Sequence, residues 1–100
     1  LVVPAEVRAV AAAARVAEPL ADRGLPLRLV VRGPAPGGLD GDDVAHALGV
    51  ELLLSVAPEP GLAAALDRGR VPGLRRGPLQ DAASAVLDAL EAVGERGRAA

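Results

Sequence analysis

Short apolar runs alternate along this chain with longer stretches of helical spacing, and Gly or Pro stands at most junctions. Leu1-Val2-Val3 reads as the end of a buried strand. Pro4 suits the first turn of a helix, where its missing N–H is not needed. Val7, Val10, Ala11, Ala14 and Ala17 then recur at helical intervals, while Glu6, Arg8 and Arg15 are left for solvent. Pro19 is expected to kink or restart that helix and Gly24 to end it. Leu27 to Arg32 is a second strand, and Gly33-Pro34-Ala35-Pro36-Gly37-Gly38 is a loop by composition. Asp40 predicts the cap of a brief helix through Leu48, with Asp42 and Asp43 favoured in its first turn and Gly49 at its close. Glu51 to Val56 is the third strand. Gly61 to Arg68 follows as a helix stopped by Gly69, and Arg70 to Gly77 as a second loop. Pro78 opens a longer helix in which Leu79, Ala83, Val86, Leu87, Leu90 and Val93 predict one apolar stripe opposite Asp81, Ser84, Asp88 and Glu91. On that phase, Leu87→Asp is expected to be far more damaging than Asp88→Ala. Residues 1–94 read as one α/β portion and 95–100 as a flexible tail.

The order β-α-β-α-β-α-α predicts an α/β fold: a partial parallel sheet of about three strands with covering helices and right-handed crossovers. The strands show little alternation, which fits a sheet covered on both faces. A sheet of this size is poorly closed by itself. Together with a strand at the very start of the chain, it predicts a piece of a larger protein. The expected partner is a missing N-terminal half or another protein, and a bare strand edge favours self-association.

Composition narrows the chemistry. Half of the residues are hydrophobic, yet the chain has no aromatic residue, no Met and no Ile, so its core must be built from Leu, Val and Ala. Lys, Asn, Thr and Cys are absent too, and all 11 basic residues are Arg. The net charge of −2 argues against nucleic-acid binding driven by overall charge. Without cysteine there is no disulfide, thiolate zinc site or cysteine nucleophile. His46 has no companion for a metal site, and helix capping accounts for Asp40, Asp42 and Asp43. Ser55 and Ser84 lack a base and an orienting acid. No signal peptide or membrane-length apolar run is present, so a cytoplasmic location is the expectation and no membrane partner is predicted. A Walker loop needs Gly-x-x-x-x-Gly-Lys-Ser/Thr, and the chain contains no lysine.

Three segments taken together resemble the C-terminal half of the MinD/ParA superfamily of P-loop ATPases, in its actinobacterial CpaE-like, septum-site-determining branch. They are Val2-Val3-Pro4-Ala5-Glu6-Val7-Arg8-Ala9-Val10, Leu29-Val30-Val31-Arg32-Gly33-Pro34 and Pro58-Glu59-Pro60-Gly61-Leu62. The resemblance implies a P-loop NTPase-like fold and a role in septum-site determination in cell division, or in positioning a secretion or pilus machine. It implies ATP and magnesium only for an intact relative, whose nucleotide loop and lysine would precede Leu1. This chain, lacking both, is expected to be no enzyme and to hold no cofactor of its own. The alternative is a stand-alone, non-enzymatic α/β module that binds a protein partner.

By the same resemblance, the strand ending at Arg32 occupies the place where the superfamily has an Asn-Arg pair whose Asn recognises adenine. An amide offers adenine both a donor and an acceptor, whereas a guanidinium has donors only. Arg32 could stack on a base, meet a carboxylate, or pair with an acidic neighbour. Pro58, Glu59, Gly61 and Leu62 are implied as the remnant of a base pocket, although a rigid turn with a glycine stop accounts for them without a ligand. Arg68, Arg70, Arg75 and Arg76 form the basic cluster. Superfamily members often bind DNA nonspecifically through C-terminal arginines; a solvated loop is the competing account.

Overall fold

The computed structural model describes residues 1–33 and 38–99, with side-chain surroundings through residue 94. Its elements are β1 (Val2–Pro4), α1 (Val7–Asp22), β2 (Arg28–Arg32), α2 (Gly41–Leu48), β3 (Glu51–Val56), α3 (Leu62–Asp67) and α4 (Pro78–Ala99). The chain is α/β and forms two compact units, Leu1–Pro58 and Glu59–Ala100.

In the first unit three parallel strands lie in the order β1-β2-β3. The ladder begins at the first residue, where the Leu1 amino group donates to the Arg28 carbonyl (2.9 Å) and Val30 N–H donates to the Leu1 carbonyl (2.8 Å). Both crossovers step the same way across the sheet, which places their helices on one face. The core lies there: Val3, Leu29 and Val31 from the strands meet Val10 and Ala17 from α1 and Val44 from α2. Leu29 and Val44 are completely buried. Every large member of this core is a Leu or a Val, as the composition requires. Between β2 and β3 the register slips once, so that Leu29 faces Leu52 but Val30 faces Leu54, leaving Leu53 as the extra residue of a bulge.

Local chemistry explains where the helices begin and end. Asp40 accepts from Asp43 N–H (2.8 Å) while Asp43 accepts from Asp40 N–H (3.2 Å), a reciprocal capping box that opens α2. Gly49 closes that helix in the left-handed region at φ 64°. Pro19 does not restart α1, which runs without interruption from Val7 to Asp22. Its fixed φ matches the helix, and the missing N–H forfeits the bond to the Arg15 carbonyl, a loss the continuous helix carries. Val7 is 74% exposed and Ala11 is exposed as well, so the covered face of α1 runs through Val10, Ala14 and Ala17.

In the second unit α3 is a six-residue helix set between Gly61 and Gly69, both left-handed. Glu59 bends back so that its Oε1 accepts from Leu79 N–H (3.3 Å), satisfying one of the free donors in the first turn of α4. The apolar stripe expected on α4 needs correction. Leu79 and Val86 are half-buried, but Ala83 is exposed, and Leu87, Leu90 and Val93 are 59%, 63% and 47% exposed. The half-buried positions run through Leu79, Ala82, Ala85, Val86 and Ala89. Three of these half-buried positions are alanines, while the larger Leu87 and Leu90 stand exposed. Leu87→Asp is therefore not a core substitution. The helix continues to Ala99, past Gly94 where the sequence predicts a tail.

Candidate functional site

The register aligns the C-terminal ends of the three strands in one row, Pro4, Arg32 and Val56. Ala5 N–H donates to the Arg32 carbonyl (2.9 Å) and Gly33 N–H to the Val56 carbonyl (3.0 Å), so the row is tied at the point where each strand gives way to a loop. This is the edge at which open α/β sheets take their ligands. Arg32 is exposed there and has no ion pair among the described residues. The pairing with an acidic neighbour weighed for Arg32 is not seen among the described residues; an ion pair is formed instead by Arg28, at the opposite end of β2, with Glu51. Pro34–Gly37, most of the loop after β2, lie outside the described residues.

The residues implied as a base-pocket remnant divide between the units. Arg32 and Pro58 belong to the first, and Glu59, Gly61 and Leu62 to the second. Glu59 already engages α4 through Leu79 N–H. Gly61 stands at φ 73° before α3 and its carbonyl accepts from Ala65 N–H (3.0 Å), so its conformational freedom is used by the turn itself.

Within the second unit these turn residues and the basic cluster come together. A cavity of about 680 Å³ has Glu59, Leu62, Arg68, Arg70, Leu74 and Arg75 among its lining residues. Gly69, at φ 71°, lets the chain turn out of α3, with its N–H donating to the Leu66 carbonyl (2.9 Å) and Arg70 N–H to the Ala65 carbonyl (2.9 Å). That double anchoring holds the backbone of Arg68 and Arg70 against α3. Arg76 does not line the cavity. The segment Glu59–Gly77 carries four arginines against Glu59 and Asp67, a local excess of positive charge in a chain whose net charge is −2. The merger of turn and cluster was not readable from spacing, because it depends on Glu59 reaching Leu79 twenty residues away. Gly77 is the one trace of it: a Cβ there would strike Glu59 Oε1.

Among the described residues no group of His, Cys, Asp or Glu could hold a metal ion. His46 is exposed in the last turn of α2. No helix among the described residues is long and apolar enough to cross a membrane.

No family model matches the chain, and no solved structure matches it significantly. It is similar to two curated proteins of Mycobacterium tuberculosis, the uncharacterized proteins MT3760 (strain CDC 1551) and Rv3660c (strain H37Rv). Each is 47% identical over 102 residues, an alignment that takes in all of this chain. The chain spans only 29% of the length of either relative, and so corresponds to one segment of a longer protein there.

Proposed function

We propose that this chain is the C-terminal part of a CpaE-like protein of the MinD/ParA superfamily, acting in septum-site determination or in the placement of a secretion or pilus machine. One observation carries the reading: Arg32 stands exposed and without an ion pair among the described residues, on the ligand-bearing edge of a parallel sheet. In the superfamily that this chain resembles, the same position faces the nucleotide base. The chain contributes sheet and covering helices and performs no hydrolysis of its own, because the lysine of a phosphate loop is missing. ATP and magnesium belong, on this reading, to another segment of the whole protein, and its location is the cytoplasm. The much greater length of the two mycobacterial relatives is consistent with such a division of labour.

Two measurements test the proposal. Titration calorimetry of ATP with magnesium into the 100-residue chain should give no tight binding; tight, magnesium-dependent binding overturns the assignment of a non-catalytic segment. Depletion of the full-length mycobacterial relative should displace division septa or disturb a secreted or surface-assembled product. Unchanged septa together with an unchanged secreted protein profile overturn the cellular role.

A further inference from the structure

We propose that the basic cavity of the second unit docks the acidic, apolar face of α4 from a second copy of this chain. This association is separate from the superfamily reading and from the strand edges. The two surfaces are chemically complementary. The cavity is lined by Arg68, Arg70 and Arg75 together with the apolar Val71 and Leu74, which are 63% and 72% exposed. No ion pair among the described residues neutralises these arginines. The outer face of α4 offers the matching pattern. Leu87 and Leu90 are exposed and lie one turn apart; Glu91 follows within about 40° of Leu87 around the helix, and Asp88 and Asp81 continue the acidic strip on the side away from Leu90, so the surface straddles the border between the two strips. Guanidinium groups meet carboxylates in two-pronged hydrogen bonds, and the leucines give Val71 and Leu74 something to bury.

The helix cannot serve its own cavity. None of its residues lines that space. A nucleic-acid backbone is the poorer occupant, since the chain has no aromatic residue on which bases could stack and the exposed Val71 and Leu74 would gain nothing from phosphate. Each copy carries one cavity and one helix face. The two patches differ, so two copies can close as a reciprocal, isologous pair, or successive copies can extend head to tail.

Size-exclusion chromatography with light scattering, over a concentration series at low and at high salt, tests the proposal on the whole 100-residue chain. The mass should rise with concentration and fall back as salt screens the charges. Two charge-reversed variants, Asp88→Arg/Glu91→Arg and Arg70→Glu/Arg75→Glu, should each associate at least about tenfold more weakly. An equimolar mixture of the two should recover association, because each reversed surface then finds its complement. Far-UV circular dichroism checks that both variants fold. The neutral pair Arg70→Gln/Arg75→Gln, which weakens association without repulsion, serves if the reversed pair does not. A wild-type chain that stays monomeric throughout overturns the proposal. So does association indifferent to charge reversal, as strand-edge pairing would be, and so does a mixture that fails to recover. A rise in mass seen only on adding a DNA duplex, and lost in Arg70→Glu/Arg75→Glu, overturns it in favour of phosphate recognition.

Discussion

Replacing Leu29 by Ala should remove much of the stability of the first unit. Leu29 is fully buried in the central strand, opposite Leu52 in register and beneath the helices that carry Val10, Ala17 and Val44. Truncating a leucine in such a place costs about 2–5 kcal/mol, the spread reflecting how far neighbours collapse into the space. Here the neighbours are Val and Ala, short side chains that cannot swing in to fill it, so a loss of about 3–4 kcal/mol is expected. A unit spanning Leu1–Pro58 has a total of roughly 3–9 kcal/mol at the usual stability per residue. The variant should therefore lose a third or more of its margin and may be compared directly with Leu90→Ala, whose leucine is 63% exposed and whose loss should cost less than about 0.5 kcal/mol. Urea unfolding followed by far-UV circular dichroism is the assay, since a chain without Trp or Tyr gives no intrinsic fluorescence signal. Equal shifts of the unfolding midpoint for the two variants would refute the assignment of the core.

Asp40→Ala removes one arm of the capping box and should cost about 1 kcal/mol, read as a lower midpoint in the same assay, whereas Asp42→Ala, outside the box, should cost much less. Gly41→Ala places a Cβ against Ser55 Oγ and within 3.1 Å of a Leu52 methyl, so a cost of about 1 kcal/mol is expected, reduced when Ser55→Gly is combined with it in a double-mutant cycle. Glu59→Ala frees the Leu79 N–H and should cost about 1 kcal/mol, read as faster amide exchange in the first turn of α4. Leu87→Asp, made at high dilution, should change stability by less than about 1 kcal/mol because its side chain faces solvent; a loss of several kcal/mol would restore the apolar stripe as first read.

The punctuation of this fold is local, and so it was legible. Asp40 and Gly49 bracket α2 as capping chemistry requires, Gly61 and Gly69 bracket α3, and Pro78 opens α4. The parallel sheet followed from strands separated by helices, and the strand-end position of Arg32 from the run before it. Helix phase was less legible where alanine dominates. Periodicity weights a leucine heavily, yet on α4 the half-buried positions include Ala82, Ala85 and Ala89 while Leu87 and Leu90 face outward. Pro19 misled because one lost bond does not end a helix that is otherwise continuous from Val7 to Asp22. The cavity was beyond reach for a different reason. The turn at Glu59 and the arginines after α3 read as separate features, and a non-local bond, from Leu79 N–H to Glu59, joins the beginning of the segment to its end.

The slip between β2 and β3 has a bearing on how this sequence can drift. Leu52, Leu53 and Leu54 are identical, so the side chains themselves do not dictate which of them is passed over when Leu29 pairs with one and Val30 with another. The choice is made at the two ends, by Arg28 on Glu51 and by Gly33 N–H on the Val56 carbonyl. Between those fixed points the strand has one residue to spare. Losing a single codon from the leucine run should straighten the ladder while leaving Ser55 beside Val31 and Val56 beside Arg32, so that a one-residue length change, ordinarily ruinous in a central sheet, becomes a neutral step here.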